Sequence, residues 1–336
     1  MEKLFQIQHL KKYYPIGVKR EKGKPEEAIN LKAVDDVTFN IFKGENLGVV
    51  GESGCGKSTL GRCLLKLIEP TEGDILFQGE SIIAKSKRQM VPLRKDMQMV
   101  FQNPYSSFNP RQTLKKALMD VAHFYGMKDD EAKKKIYELM DYVNMDKSLL
   151  SRRSGELSGG QLQRLAIVRA LIPNPSFIMA DEPVSALDVS VQAQILNLLY
   201  DMKNQFGLTL MFISHELTVV EHICDRVLVM YLGAMVEIGV TEEIFDNTMH
   251  PYTKALIASK PKDHPDQVKE HVALEGEVPN AAEIPEGCRF CTRCPEKIDG
   301  LCDTVFPPLY RVADRHWVTC HRAKEAAEQY AKEGRQ

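Results

Sequence analysis

Glycines, a lysine and hydroxyl side chains follow one another closely from position 51 onward. The run is Gly51-Glu52-Ser53-Gly54-Cys55-Gly56-Lys57-Ser58-Thr59, which fits the pattern G-x-x-x-x-G-K-[ST]. The glycines let backbone N–H groups approach phosphate oxygens without a Cβ in the way. Lys57 can reach the β- and γ-phosphates of a nucleotide, and the Ser58 hydroxyl can ligate Mg²⁺. The spacing therefore predicts a phosphate-binding loop.

The residues on either side of this loop predict the elements that hold it. Glu45–Val50 is short and mostly apolar, which is typical of a buried strand. Thr59 to about Ile68 is expected to form a helix whose positive end points at the phosphates. A strand before the motif and a helix after it argue against a chance match in a glycine-rich turn.

A second candidate for chemistry is a pair of carboxylates that ends an apolar run. Phe177–Glu182 predicts a strand ending in Asp181 and Glu182. Asp181 is placed to hold Mg²⁺, directly or through water, and Glu182 is the natural general base for an attacking water. An acidic pair after a strand is weak evidence alone. Downstream of a phosphate loop, and followed by Pro183, it is strong evidence.

A third run, Leu157-Ser158-Gly159-Gly160-Gln161, precedes a predicted helix over Gln161–Leu171. A serine and two glycines at a helix start form another N-terminal anion site. This run resembles the signature motif of the ATP-binding cassette (ABC) superfamily. The resemblance implies that Ser158 and Gly160 cap the γ-phosphate bound by the opposite subunit, so that ATP is hydrolysed at a dimer interface.

Further positions resemble ABC motifs, and the resemblance implies their roles. Gln102 matches the glutamine that contacts Mg²⁺ and couples to a membrane partner. Ser185-Ala186-Leu187-Asp188 matches the D-loop at the dimer interface, and His215 matches the switch histidine that contacts the γ-phosphate. Tyr14 matches the aromatic residue that stacks on adenine, with Tyr13 as the alternative. Such stacking is worth about 1–3 kcal/mol per base.

The resemblance covers essentially the whole chain and implies an α/β fold of the P-loop NTPase type. A RecA-like core with a parallel or mixed sheet is expected beside an antiparallel β subdomain and a helical subdomain at about residues 103–160. There, Thr113–Tyr125 and Asp129–Met145 carry apolar residues at helical spacing. Residues 1–240 would form the ATP-binding domain and residues 241–336 an extension. Val18–Asn30 predicts a surface loop between two strands.

Length, charge and apolar patterning limit the classes of partner that we expect for this chain. The length of 336 residues suggests about two domains. A net charge of −2, with no global basic field, argues against nucleic acid as the main partner. The N-terminus lacks the apolar core of a secretory signal, and the longest uncharged apolar stretch, Val227–Val236, is about half a membrane span. We therefore expect a cytoplasmic chain that reaches a membrane through separate integral partners.

Five of the eight cysteines lie near the C-terminus, at Cys288, Cys291, Cys294, Cys302 and Cys320. In a cytosolic protein, clustered cysteines suggest metal ligands rather than disulfides. By spacing, the first three, followed by a proline, resemble a ferredoxin pattern with the fourth ligand at Cys302 or Cys320. Zinc held by four thiolates is the competing interpretation. The scattered cysteines are interpreted as buried thiols: Cys55, Cys63 and Cys224.

The cysteine-rich region also resembles the C-terminal extension of ATPase subunits of oligopeptide and dipeptide permeases. The residues that carry this are Gly287–Phe290, Arg293–Pro295, Cys302, Pro307–Leu309 and Cys320–His321, with His250–Thr253 upstream. The resemblance implies a [4Fe–4S] cluster, as in some members, on Cys288, Cys294, Cys302 and Cys320. Cys291 would be a neighbouring or substitute ligand. A group that staples this small region is favoured over a redox switch.

The resemblance thus implies an ATP-hydrolysing subunit of a peptide importer at the cytoplasmic face of the cell membrane. Phe101–Arg111 and Gly54–Gly56 favour the second of two paralogous ATPase subunits. The expected partners are that paralogue in a heterodimer, two integral permease subunits and an extracytoplasmic peptide-binding protein. The alternatives are an importer of nickel or another solute, a non-transport ABC ATPase of translation or DNA repair, and a cysteine-based redox regulator. One cassette and no long heptad tract argue against the translation and repair types.

Overall fold

A computed structural model describes residues 1–19, 27–259, 279 and 284–334 of the chain. The strands of this part are β1 (Lys3–Lys19), β2 (Glu27–Phe42), β3 (Asn46–Val50), β4 (Glu72–Phe77), β5 (Glu80–Ser81), β6 (Met97–Val100), β7 (Phe177–Asp181), β8 (Thr209–Ile213), β9 (Arg226–Tyr231), β10 (Ala234–Val240), β11 (Tyr310–Ala313) and β12 (His316–Val318). Its α-helices are α1 (Lys57–Leu64), α2 (Lys87–Asp96), α3 (Leu114–Phe124), α4 (Asp129–Tyr142), α5 (Gly159–Leu171), α6 (Val189–Phe206), α7 (Leu217–Ile223), α8 (Thr241–Asp246), α9 (Pro251–Ala258) and α10 (Lys324–Glu333). In these described ranges, no helix has the length and apolar character that crossing a bilayer requires.

The chain folds as two compact units. The first unit contains residues 1–2, 42–46 and 84–213, and the second contains the described residues among 3–41, 47–83 and 214–336. The phosphate loop therefore belongs to the same unit as the C-terminal segment, which consists of the described residues among 241–336. The division into domains 1–240 and 241–336 stays a prediction, and the compact units divide the chain in a different way.

The sheet of the first unit has three parallel strands in the order β6-β7-β8. All residues of β7 and β8 are buried, as expected for parallel strands that are covered on both faces. Parallel neighbours need long crossover connections, which here contain α3 to α5 and then α6. The predicted helices near residues 113–125 and 129–145 correspond to α3 and α4.

The second unit contains an antiparallel arrangement and a mixed one. Strand β1 lies between β2 and β4, and it pairs with β4 antiparallel, as β4 does with β5. Strand β3 is parallel to β9, with Val49 opposite Leu228. Strand β9 then pairs antiparallel with β10, β10 with β12, and β12 with β11. The expected antiparallel β region and mixed sheet are both present.

The helix after the phosphate loop is shorter than predicted at its C-terminal end and longer at its N-terminal end. Helix α1 begins at Lys57, directly after the left-handed Gly56 with φ 103°. It ends at Leu64, and Lys66 adopts φ 48°, which a continuing right-handed helix excludes. Lys66 is held there because its ammonium donates hydrogen bonds to the carbonyls of Ile82 and Ile83 at 3.0 and 2.6 Å.

The segment Val18–Asn30 is a loop over less of its length than the sequence predicted. Strand β1 continues to Lys19, and β2 starts at Glu27, so both ends of the segment belong to strands. Backbone pairing in the sheet overrides the charged, Gly/Pro-containing composition at these ends. The remainder, residues 20–26, lies outside the described residues.

A buried carboxylate fastens the C-terminal segment to β10. Glu237 has no exposed surface, and its oxygens accept the N–H groups of Met249 at 2.9 Å and His250 at 3.2 Å. Nε2 of His316 lies 2.9 Å from the same carboxylate. A buried carboxylate is costly unless its oxygens have hydrogen-bond partners. Glu237 therefore stabilises the fold only together with the residues that follow it.

The imidazole of His250 begins helix α9. Its Nδ1 accepts the N–H of Tyr252 at 3.0 Å, so that the ring acts as an N-cap in its unprotonated form. Burial lowers the pKa of His250 to about 4, although the nearby Glu237 carboxylate opposes the shift. The folded chain therefore holds this histidine neutral.

We expect this histidine to make the fold less stable in acid. In the unfolded chain its pKa returns to about 6.5, so between about pH 6.5 and about pH 4 the unfolded state binds a proton that the folded state does not. The free energy of unfolding should fall by about 2 kcal/mol between pH 7 and pH 5 from this group alone. Urea unfolding of the wild type and of His250→Asn at both values measures the difference, because asparagine keeps a capping acceptor without titrating.

A matched control is His222→Gln, which removes an exposed histidine of α7. This variant should keep the wild-type dependence on pH. An equal loss of stability in the wild type and in His250→Asn would contradict the expectation.

Candidate nucleotide-binding and hydrolysis site

The phosphate loop is shaped by close approach of neighbouring backbone. Gly51 and Gly56 adopt φ 148° and 103°. A Cβ on Gly51 would lie 2.2 Å from the Met230 carbonyl oxygen, and one on Gly56 would lie 1.9 Å from that of Ala33. No side chain fits at either position. The loop therefore needs glycine at both positions for the space as well as for the dihedral angles.

Lys57 is held inside this loop. The residue is 5% exposed, and its ammonium donates to the carbonyl oxygens of Gly51 at 2.8 Å and Glu52 at 2.9 Å. It also begins α1, whose first turn has no side-chain cap at Gly56. Helix N-terminal N–H groups and a fixed ammonium together form an anion site of the kind that binds phosphate. Ser58 follows in the same turn, half-buried.

The carboxylate pair ends β7 in the first unit. Asp181 is the last residue of the strand and is 3% exposed. Glu182 follows with φ 45°, an uncommon conformation for a side chain other than glycine, and its N–H donates to the Ile213 carbonyl at 3.0 Å. Such local strain occurs preferentially at functional sites.

The structure brings Gln102 and Glu182 together, although 80 residues separate them in sequence. The Gln102 amide donates to the Glu182 carboxylate at 2.8 Å. The Ser185 hydroxyl lies 3.4 Å from the same amide and donates to the Glu182 carbonyl oxygen at 3.1 Å. The carboxylate of Glu182 is thus oriented by an amide from a separate loop, which is the arrangement that a general base needs.

The signature residues form the start of α5. Gln161 donates its N–H to the Ser158 hydroxyl at 3.3 Å, and Ser158 donates its N–H to the Gln161 side chain at 3.1 Å. This is a capping box, and Ser158 itself is exposed. The helix begins at Gly159, two residues before the predicted start. A Cβ on Gly160 would approach Val191 Cγ1 to 2.5 Å, so glycine also fits α5 against α6.

The remaining predicted ATP-site residues lie in loops, in β1 and in α1. Asp188 is exposed and occupies the position before α6, and His215 is exposed two residues before α7. Tyr14 is half-buried in β1, with the Lys12 ammonium 4.9 Å from its ring centre. The hydroxyl of Tyr13, by contrast, donates a hydrogen bond to Asp35. Ser53 and Gly54 are exposed at the tip of the loop, and Thr59 is half-buried in α1.

Two residues contact the phosphate loop although the sequence patterns did not assign them to the site. Arg293 donates from Nη1 to both carboxylate oxygens of Glu52, at 3.1 and 3.0 Å. The Tyr252 hydroxyl accepts the N–H of Glu52 at 2.9 Å. Both belong to stretches that were noted only for their family resemblance, and no local pattern links them to the loop.

The four cysteines that the resemblance selects influence one another's ionisation. Burial raises the pKa of Cys288 to about 12, and Cys320, Cys302 and Cys294 raise it further. Burial likewise raises the pKa of Cys294 to about 11, with Cys320 and Cys302 contributing. Cys291 differs, since its interacting cysteine is Cys302. All eight cysteines are free thiols.

In the ranges that the structure describes, no three or more histidine, cysteine or acidic side chains are arranged to hold a metal ion. The predicted metal site in the cysteine-rich region is therefore not supported by this structure. The three cysteines outside the C-terminal five are buried, as predicted: Cys55, Cys63 and Cys224. Burial raises the pKa of Cys63 to about 11 and also raises that of Cys55, which keeps both in the unreactive thiol form.

Comparison with known families matches two parts of the chain. Residues 34–185 match the ABC transporter family, and residues 236–302 match the C-terminal region of oligopeptide/dipeptide transporters. The first match contains the phosphate loop, the signature run and the carboxylate pair. The second contains the glutamate of β10 and most of the clustered cysteines.

Relatives of known name are similar over nearly the whole chain. Oligopeptide transport ATP-binding protein AppF of Bacillus subtilis is 45% identical over 324 residues, which cover 95% of this chain and 97% of that protein. A putative peptide import ATP-binding protein of Brucella ovis is 46% identical over 293 residues, covering 87% and 92%. The solved dimeric, post-hydrolysis structure of the ATP-binding cassette MJ0796, bound to ADP and Pi, has a TM-score of 0.62 at 26% identity, covering 70% of this chain and 98% of that one.

We expect Gly56→Ala to weaken nucleotide binding by the phosphate loop. The added Cβ would lie 1.9 Å from a backbone oxygen, so the loop itself has to move. Gly79→Ala is a matched control, because Gly79 also has positive φ, 86°, but no atom lies within 4 Å of its added Cβ. The control should lose only about 1–2 kcal/mol of stability from the unfavourable dihedral. Equilibrium ATP binding and urea unfolding of both variants separate the two effects.

The expectation for the loop is more than a tenfold increase in the Kd for ATP in Gly56→Ala, a loss of over about 1.4 kcal/mol. Binding by Gly56→Ala within twofold of the wild type would contradict it.

Proposed function

The chain belongs to the ABC transporter family of ATP-binding proteins, and we propose that it powers the import of oligopeptides or dipeptides. As a family member it is an ATPase. The peptide assignment is supported above all by one observation. A complete phosphate loop and a C-terminal region of the oligopeptide/dipeptide transporter type occur in the same chain, and a named oligopeptide transport relative is similar over nearly the whole of both chains.

In this proposal the nucleotide lies with its phosphates on Gly51–Thr59 and its adenine against Tyr14. Lys57 supplies a fixed positive charge to the β- and γ-phosphates. Mg²⁺ would be held by Ser58, Gln102 and Asp181, whose hydroxyl, amide and carboxylate oxygens are the hard donors that this ion prefers. When bound, Mg²⁺ supplies neutralisation of the phosphate charge that builds up during transfer.

Glu182 is proposed to act as the general base. Its carboxylate accepts a proton from water as the water attacks the γ-phosphate, and the Gln102 amide fixes the carboxylate's orientation. His215 would contact the γ-phosphate. Ser158, Gly159, Gly160 and Gln161 would meet the nucleotide of a second subunit, with Asp188 at the same interface. The exposure of Ser158 and of Val189, at 81%, is consistent with surfaces that a partner covers.

The proposed assembly has two ATPase subunits that close on ATP and part after hydrolysis. Loss of the γ-phosphate removes the charge that bridges the halves, so the nucleotide shifts a two-state equilibrium. We propose that the second subunit is a paralogue. Two integral permease subunits, reached through the helical region near Gln102, and an extracytoplasmic peptide-binding protein complete the importer. The chain would then lie at the cytoplasmic face of the membrane.

We further propose that Cys288, Cys294, Cys302 and Cys320 hold a [4Fe–4S] cluster. Four cysteines that influence one another's ionisation supply the thiolate donor set of such a cluster, and zinc held by the same four thiolates is the alternative. When bound, the cluster supplies a covalent staple to a region with a small core of its own.

Glu182→Gln should abolish ATP turnover, by about 10²–10⁴-fold as expected for loss of a general base, while ATP still binds. The change removes the charge but keeps an oxygen that can accept from Gln102. Glu138→Gln, an exposed acid on α4, is the control and should hydrolyse ATP at the wild-type rate. Near wild-type turnover by Glu182→Gln would exclude this residue as the base.

The same variants test transport. In cells that lack this chain, the wild type and Glu138→Gln should restore uptake of labelled di- and oligopeptides, and Glu182→Gln should not. Restored uptake of nickel without peptides would make the peptide assignment wrong and leave the ATPase assignment intact.

Anaerobic purification followed by assay of iron, acid-labile sulfide and zinc tests the cluster. About four iron and four sulfide per chain are expected, and Cys291→Ser should retain them. One zinc without sulfide would replace the cluster by a thiolate staple. Absence of both iron and zinc would overturn the metal assignment.

A further inference from the structure

We propose that Arg293 is a positioning residue for the phosphate loop, so that full ATP affinity depends on the C-terminal segment. This inference rests on the proposed binding of ATP by that loop. Arg293 lies between Cys291 and Cys294 in the sequence, and it contacts Glu52, the second residue of the loop, across 241 positions of chain.

Glu52 is held at all of its polar groups. Its carboxylate accepts two hydrogen bonds from Arg293, and its N–H donates to the Tyr252 hydroxyl at 2.9 Å. Its carbonyl oxygen accepts from the Lys57 ammonium at 2.9 Å. The loop is therefore anchored from outside by two residues of the C-terminal segment and from inside by its own lysine. The conformation of Glu52 also sets where the Lys57 charge lies.

The two outside anchors are rigid. The Arg293 side chain is 6% exposed and donates a further hydrogen bond to the Tyr231 hydroxyl at 3.3 Å. The rings of Tyr231 and Tyr252 have centres 4.6 Å apart, and each lies 5.4 Å from that of Phe290. These packed rings fix both anchors in one orientation, so the loop meets a preformed surface rather than mobile side chains.

Charge gives the contact a role beyond packing. A carboxylate in a loop that binds a triphosphate is unfavourable, because like charges repel and a half-buried site is weakly screened. The guanidinium of Arg293 offsets that charge, because its Nη1 lies within hydrogen-bond distance of both carboxylate oxygens. Burial opposes the charged form of Arg293, but hydrogen bonds to Glu52 and Tyr231 outweigh it and raise its pKa. Loss of Arg293 would leave the Glu52 carboxylate unpaired beside the phosphates.

The experiment measures equilibrium ATP binding by the full chain, with Glu182→Gln in every protein to prevent turnover. Arg293→Ala should raise the Kd for ATP about tenfold, the size of one hydrogen bond to a charged group. Adding Glu52→Gln to Arg293→Ala should bring the Kd back to within about threefold of the parent, because the repelling charge is gone. Arg311→Ala, an exposed arginine that bonds Asp314 within the C-terminal segment, should leave the Kd unchanged.

A different result is expected if Arg293 stabilises the fold without affecting ATP binding. In that case Arg293→Ala lowers the melting temperature but binds ATP within twofold of the parent, and this outcome overturns the proposal. A failure of Glu52→Gln to restore affinity in the Arg293→Ala background overturns the charge argument.

If Arg293→Ala does not fold, Arg293→Lys decides the question. Lysine keeps the charge but loses the planar guanidinium that places Nη1 against Glu52 and Tyr231, so a Kd between those of the parent and the alanine expectation supports positioning, and an unchanged Kd opposes it. A parent chain that binds no ATP would overturn the proposed function together with this assignment. Equal affinities across the set overturn this assignment alone.

Discussion

The structure of the second unit depends on how closely backbone can approach backbone around the phosphate loop. The Ala33 carbonyl of β2 and the Met230 carbonyl of β9 occupy the space that a Cβ on Gly56 or Gly51 would need. Strands β3 and β9 pair in parallel register beside the loop, and the Ala33 carbonyl of β2 lies against Gly56. Within that close fit, α1 starts directly after the loop, and the Lys57 ammonium donates to the Gly51 carbonyl.

Local patterns predicted much of the fold and of the candidate site. The buried strands β3 and β7, the helices α3, α4 and α5, and the phosphate loop all follow from apolar spacing and glycine positions within short windows. The end of α1 could not be predicted in this way. It depends on Lys66, whose ammonium reaches carbonyls 16 and 17 residues away. The folded sheet brings those carbonyls near Lys66, and a short stretch of sequence does not show that pairing.

Contacts between residues that are distant in sequence also explain which parts of the site were predicted and which were missed. Gln102 and Glu182 were each identified by motif, and the structure adds that they touch. Arg293 and Tyr252 carry no motif for nucleotide binding, and their partner is distant in sequence. Tyr13 and Tyr14 were both candidates for adenine stacking. The hydrogen bond from Tyr13 to Asp35 gives that hydroxyl a structural partner, which supports the choice of Tyr14.

Glu237 shows what this connectivity means for exchanging parts between relatives. Its carboxylate lies on the last strand before residue 240, yet the groups that satisfy it come from Met249, His250 and His316. A chimera joined at residue 240 would unite a glutamate from one parent with the partners of another. It would also unite one parent's loop with the other's arginine. Each pair behaves as a set that must be inherited together. The loop glutamate and its arginine form such a set although they lie in two different family matches.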